Sequence, residues 1–316
     1  MLPKMLFFVA AFLFFVVIIM FLKNVKFKDQ TTHLSKKVRA DIKQTPPTKR
    51  FHILSLNAFL RAGVLRHEHG ERKRYRAHAL IGLLRDYDVI ALQEVWAFRH
   101  SLLKLIRLDF PFIVKSIPPS ILNGSIVDSG TLIISRFPVL KSHAELFCDS
   151  KHPDALSAKG ILHAHINGVH FFNTHMQAVY TRTANEDVHT IHRAQILQLC
   201  AFIAKHAGSE PAVVCGDFNM TPDNPNFELL SQAGFSDELF QDKSAYTTMI
   251  SYKGEKEVCT TIRSCAKCAK KYSAQDFTHV PLRLDFIFSR GLKVDEARVI
   301  KTLGLSDHDG VEAFIS

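Results

Sequence analysis

The run Ala212–Cys215, followed by Gly216-Asp217-Phe218-Asn219, constrains the fold more than any other segment. Four consecutive apolar residues predict a buried strand, and Gly216 predicts a sharp turn of the backbone after it. Asp217 and Asn219 are two residues apart, so at a strand end their side chains point the same way. The aspartate could then take or give a proton while the amide donates to an anionic oxygen. A turn capped by the aspartate is the alternative interpretation of the same residues.

Three further apolar segments stop at a polar residue of catalytic type. A strand over residues 51–58 contains Asn57, one over 88–93 precedes Glu94, and one over 169–174 precedes His175. The remaining pattern predicts strands at 131–135, 140–147, 161–166, 284–288, 294–300 and 311–315, helices at 72–85, 98–108, 188–204 and 227–232, and a loop-rich stretch at 237–280. Layered α/β proteins hold loop residues in register at strand ends, so these polar residues are candidates for one site.

The residue types favour metal-assisted attack of water on a phosphodiester. Glu94 has no lysine beside it in the sequence and is a candidate ligand for Mg²⁺, which prefers carboxylates, water and phosphate oxygens. Asp307 and His308 are adjacent and can divide the tasks of holding a metal and moving a proton, and Asp285 could orient an imidazole. No serine or cysteine nucleophile has a plausible base, which leaves water as the nucleophile. A core histidine and an acid at a helix N-terminus are the alternative interpretations of His175 and Glu94.

Charge and hydropathy separate the first 50 residues from the rest. Residues 5–22 are 18 consecutive apolar residues, which is at the short end of the range for a membrane span. Lysines follow where a signal peptide would have a small-residue cleavage site, so an uncleaved single-span anchor over residues 1–24 is favoured over a cleaved signal. Residues 25–50 are a basic linker that could approach anionic lipids or serve as a plain spacer.

Most of the net charge of +10 lies in that N-terminal part. Residues 1–50 contain ten of the 40 Lys/Arg and two of the 30 Asp/Glu, so residues 51–316 carry a net charge of only +2. A nearly neutral body argues against duplex DNA as the substrate, because DNA-binding domains usually have a basic face. We therefore expect a membrane-anchored catalytic domain over residues 51–316 and no nucleic-acid partner.

The six cysteines give a weaker signal. Cys200 and Cys215 lie in predicted regular elements and are expected to be buried thiols. Cys259, Cys265 and Cys268 cluster in one polar stretch, where ordinary thiols, a disulfide, or a zinc site completed by His279 are the alternatives.

The ordered motifs resemble the endonuclease/exonuclease/phosphatase superfamily. The matching segments span residues 51–316 in family order: Leu56-Asn57, Leu92-Gln93-Glu94-Val95-Trp96, Gly130 to Pro138, Thr174-His175, Gly216-Asp217-Phe218-Asn219, Leu284-Asp285-Phe286 and Ser306-Asp307-His308. Within the superfamily, the chain is similar to the neutral sphingomyelinase branch in His175-Met176-Gln177-Ala178 and in the segment from Asp154 to Lys159-Gly160. Two departures are Phe59, where nuclease relatives carry a second metal-binding acid, and the absence of paired tryptophans besides the single Trp96.

The resemblance implies a four-layer α/β sandwich, two packed mixed sheets flanked by helices. It implies a Mg²⁺ ion (with Mn²⁺ as a substitute) held by Glu94 with Asn57 and Asp307. It implies that His308 is the general base oriented by Asp285. Asp217, Asn219 and His175 would bind the phosphate and stabilise its developing charge. Lys159 would place a positive charge near the phosphate or form an ordinary surface ion pair with Asp154. The activity implied is hydrolysis of sphingomyelin or a related choline phospholipid in a membrane. A nuclease or other phosphodiesterase of the same fold is the alternative, and an inactive scaffold is argued against by the intact set of polar residues.

Overall fold

Two six-stranded mixed β-sheets and four α-helices make up most of the described part of the computed structural model. The structure describes residues 50–61, 72–119, 124–181, 186–239, 242, 244–253, 256–259 and 278–316. The helices are α1 (Lys73–Leu84), α2 (Arg99–Ile106), α3 (Glu186–Ala207) and α4 (Glu228–Gln232). The strands are β1 (Phe51–Leu60), β2 (Val89–Val95), β3 (Phe112–Val114), β4 (Leu132–Ser135), β5 (Val139–Leu146), β6 (Gly160–Ile166), β7 (Val169–His175), β8 (Ala212–Asp217), β9 (Ser236–Asp237), β10 (Thr248–Lys253), β11 (Lys256–Cys259), β12 (Thr278–Leu282), β13 (Asp285–Arg290), β14 (Val294–Ile300) and β15 (Gly310–Ile315).

Each large sheet has one parallel pair of strands at its centre. The first sheet has the order β14-β15-β1-β2-β4-β3, and its parallel pair is β1 with β2. The second has the order β5-β6-β7-β8-β13-β9, and its parallel pair is β7 with β8. The carboxyl ends of two parallel strands lie at the same edge of a sheet, which places the polar strand ends of the sequence together.

Three apolar cores arrange the sheets and helices in layers. Leu54 and Leu92 of the first sheet pack with Leu80 of α1, and Val214 of the second sheet packs with Leu199 of α3. The third core lies between the two sheets. It is formed by residues of both sheets, among them Ile53, Ile133, Leu162 and Val213. Because the central strands are covered on both faces, β2 and β8 begin with continuous apolar runs, whereas β1 and β7 also bury polar residues such as Ser55 and Asn173. The predicted α/β sandwich of two mixed sheets flanked by helices is confirmed.

Gly216 has a different structural role from the one predicted. The strand β8 continues through Gly216 to Asp217, so the predicted turn at the glycine is wrong. The backbone of Gly216 has a φ of 143°, and a Cβ there would lie 2.0 Å from the carbonyl oxygen of Thr174 on β7. The glycine is therefore required by close approach of two strands.

The predicted loop-rich stretch at 237–280 contains strands instead. The strands β11, β10 and β12 form a separate three-stranded antiparallel sheet. Thr248 on β10 also forms an isolated bridge with His308, so this small sheet reaches the loop that precedes β15.

Several predictions concern residues that the structure does not describe. The membrane anchor at 1–24, nearly all of the linker at 25–50, and Cys265 and Cys268 lie outside the described residues. Within the part of the chain that is described, no helix has the length and apolar character needed to cross a bilayer. Cys148, Cys200 and Cys215 are free thiols, and Cys215 is buried as predicted while Cys200 is half-buried.

Candidate active site

Three strands of the second sheet bring a histidine and two aspartates into one row. Asp217, the last residue of β8, pairs with His175 on β7 and with Asp285 on β13. All three residues are buried. The register of the sheet, rather than any loop, fixes these side chains side by side.

The first sheet contributes Asn57 and Glu94 opposite that row. Asn57 pairs with Gln93 across the parallel strands, and Glu94 follows in β2. The Asn57 amide nitrogen donates to Asp217 Oδ2 at 2.9 Å and to Glu94 Oε1 at 3.3 Å. Because Asp217 belongs to the second sheet, this single side chain joins the two sheets at the site. The Glu94 carboxylate also pairs with Arg61, with Nε 3.4 Å from Oε2.

The loop before β15 carries His308 into the gap between the sheets. Its Nδ1 lies 2.7 Å from Asp285 Oδ2, and its Nε2 lies 4.0 Å from Asp217 Oδ2. The Ser306 hydroxyl holds the loop by donating to the main-chain carbonyl of Asn57 at 2.5 Å, and it also lies 3.4 Å from Asp307 Oδ1. Glu94 and His308 are thus connected through only two intervening side chains, Asn57 and Asp217.

Burial and neighbouring carboxylates shift the pKa values of Asp217 and His308. Burial, followed by the charge of Asp285, raises the pKa of Asp217 to about 7, although His308 opposes the shift. For His308, burial lowers the pKa, but the charges of Asp285, Asp217 and Asp307 outweigh it and raise the pKa well above the ordinary value. A buried cluster in which protons are held by several carboxylates and an imidazole is the kind of environment that acid–base catalysis uses.

A second buried group lies next to Asp217. Lys159 Nζ is 3.0 Å from Asp154 Oδ2, 3.1 Å from His175 Nε2 and 2.7 Å from the carbonyl oxygen of Met176. His175 Nε2 lies 3.6 Å from Asp217 Oδ2. Burial, then the charge of Lys159, lowers the pKa of His175 well below its ordinary value, so this imidazole is neutral.

Residues 54–308 match the Endonuclease/Exonuclease/phosphatase family. The match covers most of the chain and includes every residue of the site described above, the whole second sheet and the first sheet up to β15. The chain belongs to this family.

Sphingomyelinases are among the family members that resemble the chain in sequence. A sphingomyelinase of Dictyostelium discoideum is 28% identical over 174 residues, which cover 44% of this chain and 38% of that protein. An inositol phosphosphingolipids phospholipase C of Schizosaccharomyces pombe is 26% identical over 162 residues, which cover 47% of this chain and 37% of that protein. The matched segments therefore span well under half of these relatives.

Solved structures of the same fold cover most of this chain. The protein SmcL superposes with a TM-score of 0.65 and 21% identity, over 84% of this chain and 99% of SmcL. A beta-toxin variant of Staphylococcus aureus, solved with bound magnesium ions, superposes with a TM-score of 0.59 and 18% identity over 84% of this chain and 99% of the toxin. At these low sequence identities, the structural similarity establishes only that the fold is shared. The predicted resemblance to the family and to its sphingomyelinase branch is confirmed by these comparisons.

The structure brings the nine predicted site residues to one edge of the sandwich. Asn219 follows β8, donates its main-chain N–H to Asp217 Oδ1 at 3.0 Å and its amide to the Met176 carbonyl at 3.1 Å. Lys159 does pair with Asp154, but both side chains are at least nine-tenths buried, so the predicted alternative of an ordinary surface ion pair is wrong. Three site-edge residues other than glycine, Phe59, Glu94 and Asn219, have a positive φ, a strained backbone conformation that clusters at functional sites.

Residues that the sequence did not single out complete the site. Arg61 pairs with Glu94, Ser306 anchors the loop of His308, and Tyr180 donates to Asp154 Oδ1 at 2.8 Å. Tyr180 lies five residues after His175, outside any strand, and carries no periodic signal. Only the three-dimensional arrangement identifies these residues.

Proposed function

We propose that the chain is a Mg²⁺-dependent phosphodiesterase of the phospholipase C type. Its substrate is sphingomyelin or a related choline phospholipid, and its products are ceramide and phosphocholine. The observation that carries this proposal is the bond network of Asn57, whose amide links Glu94 to the Asp217–His308–Asp285 group. A metal ligand and a general base within one connected group is the arrangement that water attack on a phosphodiester needs. The sphingomyelinase names of the relatives support the lipid class.

The donor atoms on the metal side suit a hard cation. Glu94 and Asp307 offer carboxylate oxygens, which Mg²⁺ and Mn²⁺ prefer over nitrogen or sulfur, and Asn57 supports the site by donating its amide N–H to Glu94 Oε1. The Glu94 Oε2 atom is buried and has no hydrogen-bond partner within the described residues, and only the Arg61 guanidinium at 3.4 Å balances its charge. A bound Mg²⁺ would neutralise phosphate charge and make the phosphorus more electrophilic.

His308 is proposed to take the proton of the attacking water through Nε2. Asp285 fixes the ring, because the hydrogen bond from Nδ1–H to Oδ2 leaves Nε2 directed toward Asp217. The same carboxylates favour the protonated ring, so His308 must lose that proton before it can act as a base. Once the ring accepts a proton from water, Asp285 stabilises the resulting cation.

The remaining residues are proposed to bind the phosphate. Asn219 and the neutral His175 donate hydrogen bonds to its oxygens, where negative charge develops during attack. Asp217 Oδ2 lies 3.6 Å from His175 Nε2 and 4.0 Å from His308 Nε2, so its charge is placed between the two rings. Lys159 is occupied by Asp154 and His175, so we assign it the positioning of His175.

The N-terminal part is proposed to bring this domain to its substrate. Residues 1–24 would span the membrane once, and the basic linker at 25–50 would lie against anionic headgroups. Each basic residue close to such a surface contributes roughly 1 kcal/mol. Removal of residues 1–24 should release the protein from membranes into the supernatant, and sedimentation after a high-salt wash tests this.

Substrate comparison tests the proposed activity. The full chain in detergent, with Mg²⁺, is offered sphingomyelin, phosphatidylcholine, a lyso-phosphocholine lipid and plasmid DNA, and released phosphocholine and nicked DNA are measured. We expect phosphocholine from at least one lipid, none from the His308→Ala variant, and intact DNA. DNA cleavage without phosphocholine release would assign the site to a nuclease instead.

A further inference from the structure

A second cluster of ionisable side chains lies on the helix-facing side of the second sheet. His143 on β5 is directly opposite His163 on β6, and His165 on β6 is directly opposite His170 on β7. Directly opposed residues of antiparallel strands have Cβ atoms about 5 Å apart, so the register itself brings the rings together. His206, in the last turn of α3, covers them, with its ring centroid 4.1 Å from that of His143 and 5.7 Å from that of His163.

Three of these residues have the composition and spacing of a metal site. His143, His163 and His206 each offer a ligand nitrogen, and the three nitrogens lie within 4.8 Å of one another. Nitrogens bound to a tetrahedral Zn²⁺ at 2.0–2.1 Å are about 3.4 Å apart. His143 is exposed and His206 is half-buried, so both rings have room to close this difference around the fixed ring of His163.

Hydrogen bonds prepare one nitrogen of His163 for a metal. His170 Nε2 lies 2.8 Å from Glu210 Oε2, and since a carboxylate only accepts, Nε2 carries the hydrogen. In neutral His170 the other nitrogen, Nδ1, is then an acceptor for His163 Nε2–H at 2.9 Å. That assignment leaves Nδ1 of His163 without a hydrogen, and this atom is buried and has no hydrogen-bond partner among the described residues. Metal-bound histidines are commonly held by such a bond from the second ring nitrogen to a partner.

The surroundings of His163 and His206 favour the neutral form of these two rings, which is the form that binds metals. Burial, then the neighbouring histidines, lowers the pKa of His163 to about 2, and the pKa of His206 is lowered to about 4 for the same reasons. His163 also lies against Phe172 and Phe202, which exclude water from its inner side. Three imidazole nitrogens without a carboxylate are a ligand set suited to zinc rather than magnesium.

The cluster is separate from the proposed active site. His163 lies opposite Phe172 on β7, three residues before His175, which at the rise of a strand is about 10 Å, and Phe172 packs in the core between the second sheet and α3. An ion at this end of the sheet would tie β5 and β6 to the C-terminal turn of α3. We propose that His143, His163 and His206 bind one Zn²⁺ ion, with the fourth position open to water on the exposed side, and that this ion stabilises the fold without taking part in hydrolysis.

Zinc stoichiometry of matched variants tests the site. The full chain and three variants, His143→Ala, His206→Ala and His189→Ala, are saturated with Mg²⁺, equilibrated with Zn²⁺, gel-filtered and analysed by mass spectrometry of the metals. His189 is an exposed histidine at the other end of α3 and controls for histidine removal from that helix. His143 is exposed on a strand, so its replacement is compatible with folding.

We expect the His143→Ala and His206→Ala proteins to hold one equivalent of zinc less than the full chain and the His189→Ala protein. Zinc at 100 times its dissociation constant should raise the melting temperature of the full chain by roughly 4–5 °C, and this rise should be lost in the first two variants only. Equal zinc content in all four proteins would overturn the proposal, because any ion present would then be held by other residues.

Discussion

Replacement of Asp285 by asparagine tests whether the negative charge of this carboxylate is needed for His308 to act as a base. Asp285 is fully buried, and its Oδ2 accepts from His308 Nδ1 at 2.7 Å. Asparagine has nearly the same shape, so the fold is retained while the negative charge is removed. The uncharged amide no longer stabilises the imidazolium that forms when His308 takes a proton. Its NH₂ group can also donate to Nδ1 and favour the tautomer with hydrogen on Nε2, which cannot accept a proton from water.

The magnitude follows from the size of general base catalysis. Such catalysis typically contributes 10²- to 10⁴-fold to a rate, and each tenfold change corresponds to about 1.4 kcal/mol of activation free energy. We therefore expect kcat to fall by about 10²- to 10⁴-fold in the Asp285→Asn protein, equivalent to about 3–5 kcal/mol. KM should change little, because Asp285 contacts His308 rather than the substrate in the proposed arrangement.

The assay is release of phosphocholine from detergent-dispersed lipid under saturating Mg²⁺. Asp237→Asn is the matched control, since Asp237 is also well buried and paired, but with Arg283 and on the strand β9. Circular dichroism and thermal melting of both variants check that each is folded. A kcat within threefold of the unmodified protein in folded Asp285→Asn would refute the role of Asp285, and an equal loss in Asp237→Asn would show that the effect is structural.

Three other outcomes follow from the structure. Chelation with EDTA should abolish phosphocholine release and Mg²⁺ should restore it, whereas turnover without metal would exclude the ligand role of Glu94. Burial lowers the pKa of His192 to about 4 from an ordinary 6.5, so the unfolded chain binds the additional proton first and stability falls as the pH drops below 6.5. The stability lost through His192 reaches about 3 kcal/mol near pH 4. Between pH 7.5 and pH 4.5, the free energy of unfolding measured with urea should therefore fall by about 2–3 kcal/mol less in His192→Gln than in the unmodified protein. Gly216→Ala should lower the free energy of unfolding by about 3 kcal/mol or more, because its Cβ would meet the Thr174 carbonyl at 2.0 Å, whereas Gly82→Ala, in open space on α1, should be neutral or stabilising.

The strands and helices that were predicted correctly are those with a clear apolar pattern. The parallel strands β1, β2, β7 and β8 each contain buried apolar residues in a pattern that is recognisable without tertiary information, although β1 and β7 also carry buried polar side chains such as Ser55 and Asn173. The pattern does not predict β10 to β12, because these strands are short and mix polar with apolar residues, and they pair mainly with one another. Gly216 was assigned to a turn because sequence shows that a glycine is needed but not whether a bend or a neighbouring strand requires it.

Some site residues are recognisable from the sequence because they follow an apolar strand, whereas others are placed only by tertiary contacts. Asn57, Glu94, His175 and Asp217 end or nearly end apolar strands, so their position along the chain already indicates the edge at which they meet. The contacts of Lys159 depend instead on how the segment before β6 folds back over His175, and no spacing in the sequence specifies that the pair with Asp154 is buried. The histidines at 143, 163 and 206 come from three separate elements and become neighbours only through strand register and the length of α3. Sequence therefore reveals sites built at the ends of central strands, whereas sites built across the outer face of a sheet require the register to be known.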